Sequence, residues 1–201
     1  MQSRVLILPG FGGSGPDHWQ SRWEAIHPSF RRVQQSDWNR PDLDDWLFSL
    51  DAAFASSAPD VVLVAHSLGC LLAVHWASEE MKLRSLARSR GDIVTTIGGA
   101  LLVAPPDPAT LEFPRVASSF VPVPMITLPF PSIVVASSND TYASIEYGQR
   151  CAQAWGSRFV DIGEAGHINA DSGLGIWPLG LDLLAELVPD LPVSGGGGDS
   201  N

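Results

Sequence analysis

The apolar run Val61, Val62, Leu63, Val64, Ala65 stops at His66, Ser67, Leu68 and Gly69, and a helical pattern follows without a break. A short apolar run of this kind reads as a buried strand, here feeding straight into a helix. So sharp a change of direction needs small residues two before and two after the apex, which holds Ser67 in a strained conformation with its Oγ exposed. Ala65 and Gly69 meet that need. The usual pattern is G-x-S-x-G, from which Ala65 departs by one methyl group. The reading is a nucleophile elbow, although a serine N-cap opening a helix after a strand would use the same residues. The partners of Ser67 have to decide between the two.

The rest of the chain repeats the alternation that the elbow implies. Apolar runs at residues 4–8, 31–34, 61–65, 100–104, 132–136 and 157–162 predict strands. Amphipathic stretches at 17–26, 41–56, 68–88, 144–155 and 174–187 predict helices, with Asp17 and Ser172 at cap positions. Residues 87–99 fit neither pattern cleanly. The alternation predicts an α/β fold with a mainly parallel sheet of six strands and helices on both faces. A chain of 201 residues with 45% hydrophobic and 17% charged content suits a single domain, expected over 1–190, with a flexible glycine-rich tail at 191–201.

A serine nucleophile needs an imidazole to take its proton and an acid to orient that imidazole. There are five histidines. His66 points away from its neighbour's side chain on the turn, and His75 lies ~12 Å further along the same helix. His18 and His27 precede the serine, against the order Ser, acid, His that goes with this type of elbow. His167 remains, in the glycine-bearing loop 163–169. Three aspartates fall in the interval. Asp140 and Asp107 each follow a predicted strand at its carboxyl end, and chain order does not choose between them. Asp161 lies inside a predicted strand, so its side chain must choose a face of the sheet.

The loop Pro9, Gly10, Phe11, Gly12, Gly13, Ser14, Gly15 follows the first predicted strand. It lacks the Gly-Lys-Ser/Thr of a P-loop and a dinucleotide fingerprint. Behind a nucleophile elbow, such a loop donates one backbone N–H to an oxyanion hole and the residue after the serine donates the other, which points to Phe11 and Leu68. His18 either lines the entrance or serves the first helix, while Trp19 is expected to pack. Residues 105–131 hold eight of the sixteen prolines, which excludes a regular helix through most of the segment. This connection could border the pocket, with Phe113, Phe120, Phe130 and Leu111 as candidates for its apolar wall, although core packing is the favoured reading for each one. Trp38, Trp46 and Trp177 are expected mainly to pack the core.

A net charge of −10 argues against nucleic acid and an anionic membrane as partners; the nucleophile elbow instead points to a small-molecule acyl substrate. Cys70 and Cys151 have no metal-ligand or C-x-x-C spacing and read as free buried thiols. No apolar run reaches the roughly 20 residues of a membrane span, and the chain enters a strand without a signal-peptide pattern, so a cytoplasmic location is expected. Nothing in these motifs requires a metal or organic cofactor.

Four segments together resemble the small α/β-hydrolase family that includes retinoblastoma-binding protein nine and the bacterial YdeN-like serine hydrolases. They are Pro9 to Ser14 with His18, Trp19 and Gln20; Ala65 to Gly69; Val134 to Asp140; and Gly166 to Asn169 with Ser172 and Gly173. The likeness extends over most of residues 4–188. It implies a compact hydrolase fold without a large lid, and a triad falling on Ser67, Asp140 and His167, so it favours Asp140 over Asp107. The expected activity is hydrolysis of a small ester, thioester or amide through an acyl-enzyme on Ser67, carboxylesterase-like in type. Two alternatives stand beside it. One is an acyltransferase using the same residues. The other is a non-catalytic binding protein, although Leu68, Gly69, Cys70, Leu71 and Leu72 lack the final glutamate of an L-x-C-x-E peptide.

Overall fold

The structure, a computed structural model, describes residues 3–87 and 97–188. The chain runs β1 (Ser3–Leu8), α1 (Trp19–Ile26), β2 (Phe30–Arg32), α2 (Leu43–Phe54), β3 (Ser57–His66), α3 (Leu68–Ala87), β4 (Ile97–Val103), β5 (Ser132–Ala136), α4 (Ile145–Trp155), β6 (Arg158–Asp161) and α5 (Pro178–Leu187). The six strands form one parallel sheet in the order β2-β1-β3-β4-β5-β6.

Alternation along each strand feeds two cores. Leu6, Leu8, Leu63, Ala65, Leu102 and Val134 pack on one face against residues of α2, α3 and α4, such as Trp46, Leu71 and Cys151. Val5, Ile7, Val62, Val64, Leu101 and Val135 pack on the other against Trp19, Trp23 and Leu184 of α1 and α5. Burying each such side chain contributes about 1.5–3 kcal/mol, which is why the strands read as continuous apolar runs. The chain leaves β1 toward β2 on one side and later sets β3 on the other. Strand order therefore reverses between β1 and β3, and a crevice opens at their carboxyl ends, where open α/β sheets bind ligands. The glycine loop follows β1 and Ser67 follows β3, so the topology alone brings them together.

Several boundaries differ from the sequence reading. β4 starts at Ile97 rather than 100, because Gly98 and Gly99 lie in the strand. A side chain at 99 would press on the Pro131 carbonyl and on Leu187. The N-cap of α1 is His18, whose Nδ1 accepts from the Gln20 N–H, while the Asp17 carboxylate pairs with Arg22. Ser172 caps no long helix. It closes a capping box with Asn169 over the short 3-10 helix Ala170–Ser172, and α5 begins only at Pro178, where a proline loses no helical hydrogen bond. The proline-rich connection carries 3-10 turns over Arg115–Phe120, kinked at Ala117. Most of the ambiguous stretch 87–99 and all of the tail 191–201 lie outside the described residues.

Candidate active site

The turn between β3 and α3 is held by sterics and by main-chain bonds. Ser67 adopts a φ of 53°, a left-handed conformation that costs a residue with a Cβ on the order of 1–3 kcal/mol. Its N–H donates to the Val103 carbonyl of β4 (2.9 Å) and its carbonyl accepts from the Cys70 N–H (2.8 Å). A Cβ at position 69 would stand 2.1 Å from the Leu8 carbonyl oxygen, so only glycine lets α3 come this close to β1. A Cβ at Gly10 would stand 2.8 Å from the Ser67 Cβ. Ala65, by contrast, fits its methyl group fully buried into the core under α3, which explains why the departure from glycine at this position is tolerated.

His167 Nε2 lies 2.8 Å from Ser67 Oγ, and its Nδ1 lies 2.8 Å from Asp140 Oδ2 and 3.0 Å from Oδ1. The side chains of His167 and Asp140 are 10% and 3% exposed, so the pair is shielded from water on nearly every side. Asp140 Oδ1 also accepts from the Tyr142 N–H (2.8 Å). The Tyr142 ring leans on the imidazole, with centroids 4.2 Å apart. The competing aspartates are occupied elsewhere. Asp107 accepts from the Ala109 N–H and faces Arg150 at 4.0 Å, and Asp161 accepts from the Gly163 N–H at the sheet's edge strand.

The histidine loop is held differently from the elbow, by side chains that sequence reasoning passed over. Ser137 Oγ accepts from the Ala165 N–H (2.9 Å) and Asn139 Oδ1 from the Gly166 N–H (2.7 Å). The His66 Nε2–H donates to the His167 carbonyl (2.8 Å), and the Trp19 Nε1–H donates to the Ile168 carbonyl (2.8 Å). His66 is thus no base for its neighbour but a clamp on the residue that is placed to be one. The signal was present as the polar run Ser137, Ser138, Asn139, Asp140 directly after an apolar strand.

The glycine loop is anchored by Gln20, which is fully buried. Its amide donates to the Leu8 and Val64 carbonyls and its Oε1 accepts from Ser14 Oγ (2.8 Å). Arg32, paired with Glu24, donates to the Gly13 and Ser14 carbonyls. Among the described residues the Phe11 N–H meets no acceptor, and the Leu68 N–H, first in α3, precedes the helix's own bonding. Both flank a cleft of about 460 Å³ lined by Ser67, His167, His18, Tyr142 and Pro106 among others, a volume that suits a small molecule. Glu112 and Pro114 also line it, so the proline-rich connection does border the cleft, and no large lid covers it among the described residues. Phe113 is corrected as a possible pocket residue, and the favoured reading of core packing holds for the aromatics. Phe113 and Phe120 turn into the core, Phe130 packs against it, and Leu111 is 95% exposed. Trp46 and Trp177 are buried in the two cores.

Burial pushes His18 down to about 3, helped by the nearby Arg32 guanidinium, and pushes His66 well below the usual histidine range. Both are neutral at pH 7. Cys70 and Cys151 are buried free thiols, Cys70 raised well above the usual range by burial. Among the described residues no group of three or more His, Cys, Asp or Glu side chains is arranged to hold a metal, and no helix is long and apolar enough to cross a membrane.

A family model described as Serine hydrolase matches residues 5–186. A Bacillus subtilis (strain 168) protein named as hydrolase YdeN is 27% identical over 189 residues, covering 92% of this chain and 95% of that protein. A solved structure of a YdeN-like hydrolase from Pectobacterium atrosepticum is 35% identical, with a TM-score of 0.75 over 92% of this chain and 90% of that one. The solved B. subtilis YdeN gene product gives a TM-score of 0.70 at 20% identity, over 92% and 98% of the two chains, a likeness of fold.

Proposed function

Because the chain belongs to the serine hydrolase family, we propose that it cleaves a small ester, thioester or amide through an acyl-enzyme on Ser67. The observation that carries the reading is the unbroken line of contacts from Ser67 Oγ through His167 to Asp140, each 2.8 Å long. His167 Nε2 takes the Ser67 proton as Oγ attacks the scissile carbonyl. The tetrahedral oxyanion forms between the N–H groups of Phe11 and Leu68, which meet no other acceptor among the described residues and are held in place before the charge develops. His167 then hands the proton to the leaving group, and water, activated by the same nitrogen, releases the acid and restores Ser67. Asp140 keeps the proton of His167 on Nδ1 and stabilises the imidazolium that forms twice per cycle.

Turnover of p-nitrophenyl esters of two to eight carbons tests the reading. Ser67→Ala and His167→Ala should each lose on the order of 10³-fold or more in kcat while keeping the fold. Near-full activity in Ser67→Ala contradicts it. Product analysis with added alcohols or amines separates hydrolysis from acyl transfer, and free acid is the expected product.

A further inference from the structure

The Tyr142 ring lies 4.2 Å from the His167 ring, centroid to centroid, with the two planes 34° apart. Rings this close and this little inclined meet through their faces rather than edge to face. The backbone of Tyr142 is held at both ends. Its N–H donates to Asp140 Oδ1 (2.8 Å), and its carbonyl accepts from the Asp107 N–H (3.0 Å) and from Thr110 Oγ1 (3.4 Å). The carboxylate that pairs with His167 therefore also anchors the residue whose ring covers it, and Asp107 serves the site through its main chain.

The other contacts of the imidazole lie at its nitrogens or further off. Asp140 meets Nδ1 and Ser67 Oγ meets Nε2, while the His66 ring stands 5.0 Å away at 60° and is neutral. Once Nε2 has taken the Ser67 proton the ring carries a full positive charge, and a side chain only 10% exposed has little water to spread it into. Hydrogen bonds to ring nitrogens lie in the ring plane, so above the plane the charge is met by whatever covers the face. An aromatic face is negative, and a cation within about 6 Å of its centroid is attracted to it. Neutral imidazole gains far less from the same contact. The contact therefore strengthens as the charge develops, which is the condition for lowering a barrier.

We infer that Tyr142 is a positioning residue for the proposed reaction, and that its ring face steadies the imidazolium of His167 each time that ring takes up a proton. The inference rests on His167 being the base for Ser67.

Truncation of Tyr142 does not isolate this effect. Tyr142 and His167 both line the cleft and a second hollow beside Thr141 and Glu164, so a smaller side chain would also admit water to the imidazole. Fluorination keeps the shape and drains the π face. Phenylalanine and its monofluoro, trifluoro and pentafluoro forms, placed at position 142 by nonsense suppression, should give a kcat that falls stepwise, by about three- to tenfold from first to last, the strength of one shielded cation–π contact. The fall should be the same for p-nitrophenyl acetate and butanoate, because the ring acts through His167 and not on the acyl group. A kcat that stays level across the series, or a fall that differs between the two esters, overturns the inference. So does a Tyr142→Leu variant, of similar bulk without a π face, that matches Tyr142→Phe in kcat. Should the pentafluoro form not fold, the monofluoro and trifluoro forms decide. Fluorophosphonate labelling of wild type reports on Ser67 separately. A labelled Ser67 with a level series sinks only this inference, and an unlabelled Ser67 sinks both readings.

Discussion

The elbow and the histidine loop meet across 2.8 Å, yet they are built on different physics. The elbow is held by shape. Gly69 and Gly10 leave room for nothing larger, the strained Ser67 backbone is fixed between β4 and α3, and no side-chain hydrogen bond is needed. The histidine loop is held by polar staples, with Ser137, Asn139, His66 and Trp19 each bonding its main chain. Steric fixation fails all at once when a side chain is added, whereas staples fail one at a time. This difference lets a rigidly held Ser67 face a His167 whose position is adjustable in small steps.

Gly69→Ala should show the largest effect. Its Cβ would collide with the Leu8 carbonyl, so α3 must shift, with a loss of roughly 3 kcal/mol or more in urea unfolding and at least about 10²-fold in turnover. Wild-type behaviour in both would break the steric account of the elbow. Next comes Asn139→Ala, which frees the exposed Gly166 N–H and should cost about 0.5–1.5 kcal/mol, with kcat reduced about tenfold through a loosened His167. Ser137→Ala should behave alike, and a double variant far worse than either would show that the staples share one load. Ala65→Gly restores the usual motif yet should gain nothing: losing a buried methyl and stiff backbone should lower stability by about 1–2 kcal/mol and leave turnover within a few-fold. A clear gain in activity would mean that Ala65 strains the turn.

Acid sensitivity arises at the seam between the two regions. The unfolded chain protonates His18 and His66 near pH 6.5, whereas the folded chain keeps both neutral, His18 down to about 3. The unfolded state therefore binds more protons, and stability falls as pH drops below 6.5, by roughly 1 kcal/mol per histidine per pH unit. Urea midpoints between pH 7 and 5 should fall less steeply for His18→Asn than for wild type. Equal slopes would remove His18 from the account.

The strands and the elbow were legible because burial on both faces writes itself as apolar runs, and because a serine between Ala65 and Gly69 leaves few other turns. His167 was reached by chain order and elimination. For the acid, Asp140 ranked ahead of Asp107 and the resemblance supported it, but chain order could not settle the choice, since both follow a strand and only three-dimensional packing shows which one meets the imidazole. The staples were not legible. Ser137, Asn139 and Gln20 are ordinary loop and helix residues until a distant main-chain N–H or carbonyl is brought against them, and such contacts, 12 to 44 residues apart in sequence, leave no local period. Phe113, kept as a possible pocket residue, was misplaced for a related reason: an aromatic in a proline-rich segment can face either core or cleft, and sequence does not say which.

The most direct test is to treat folded wild type and Ser67→Ala with a fluorophosphonate, digest both, and map the adduct by mass. The account predicts a single adduct on the peptide that carries Ser67 in wild type and none in the variant. An adduct that maps elsewhere, survives in Ser67→Ala, or never forms on folded wild type would contradict it.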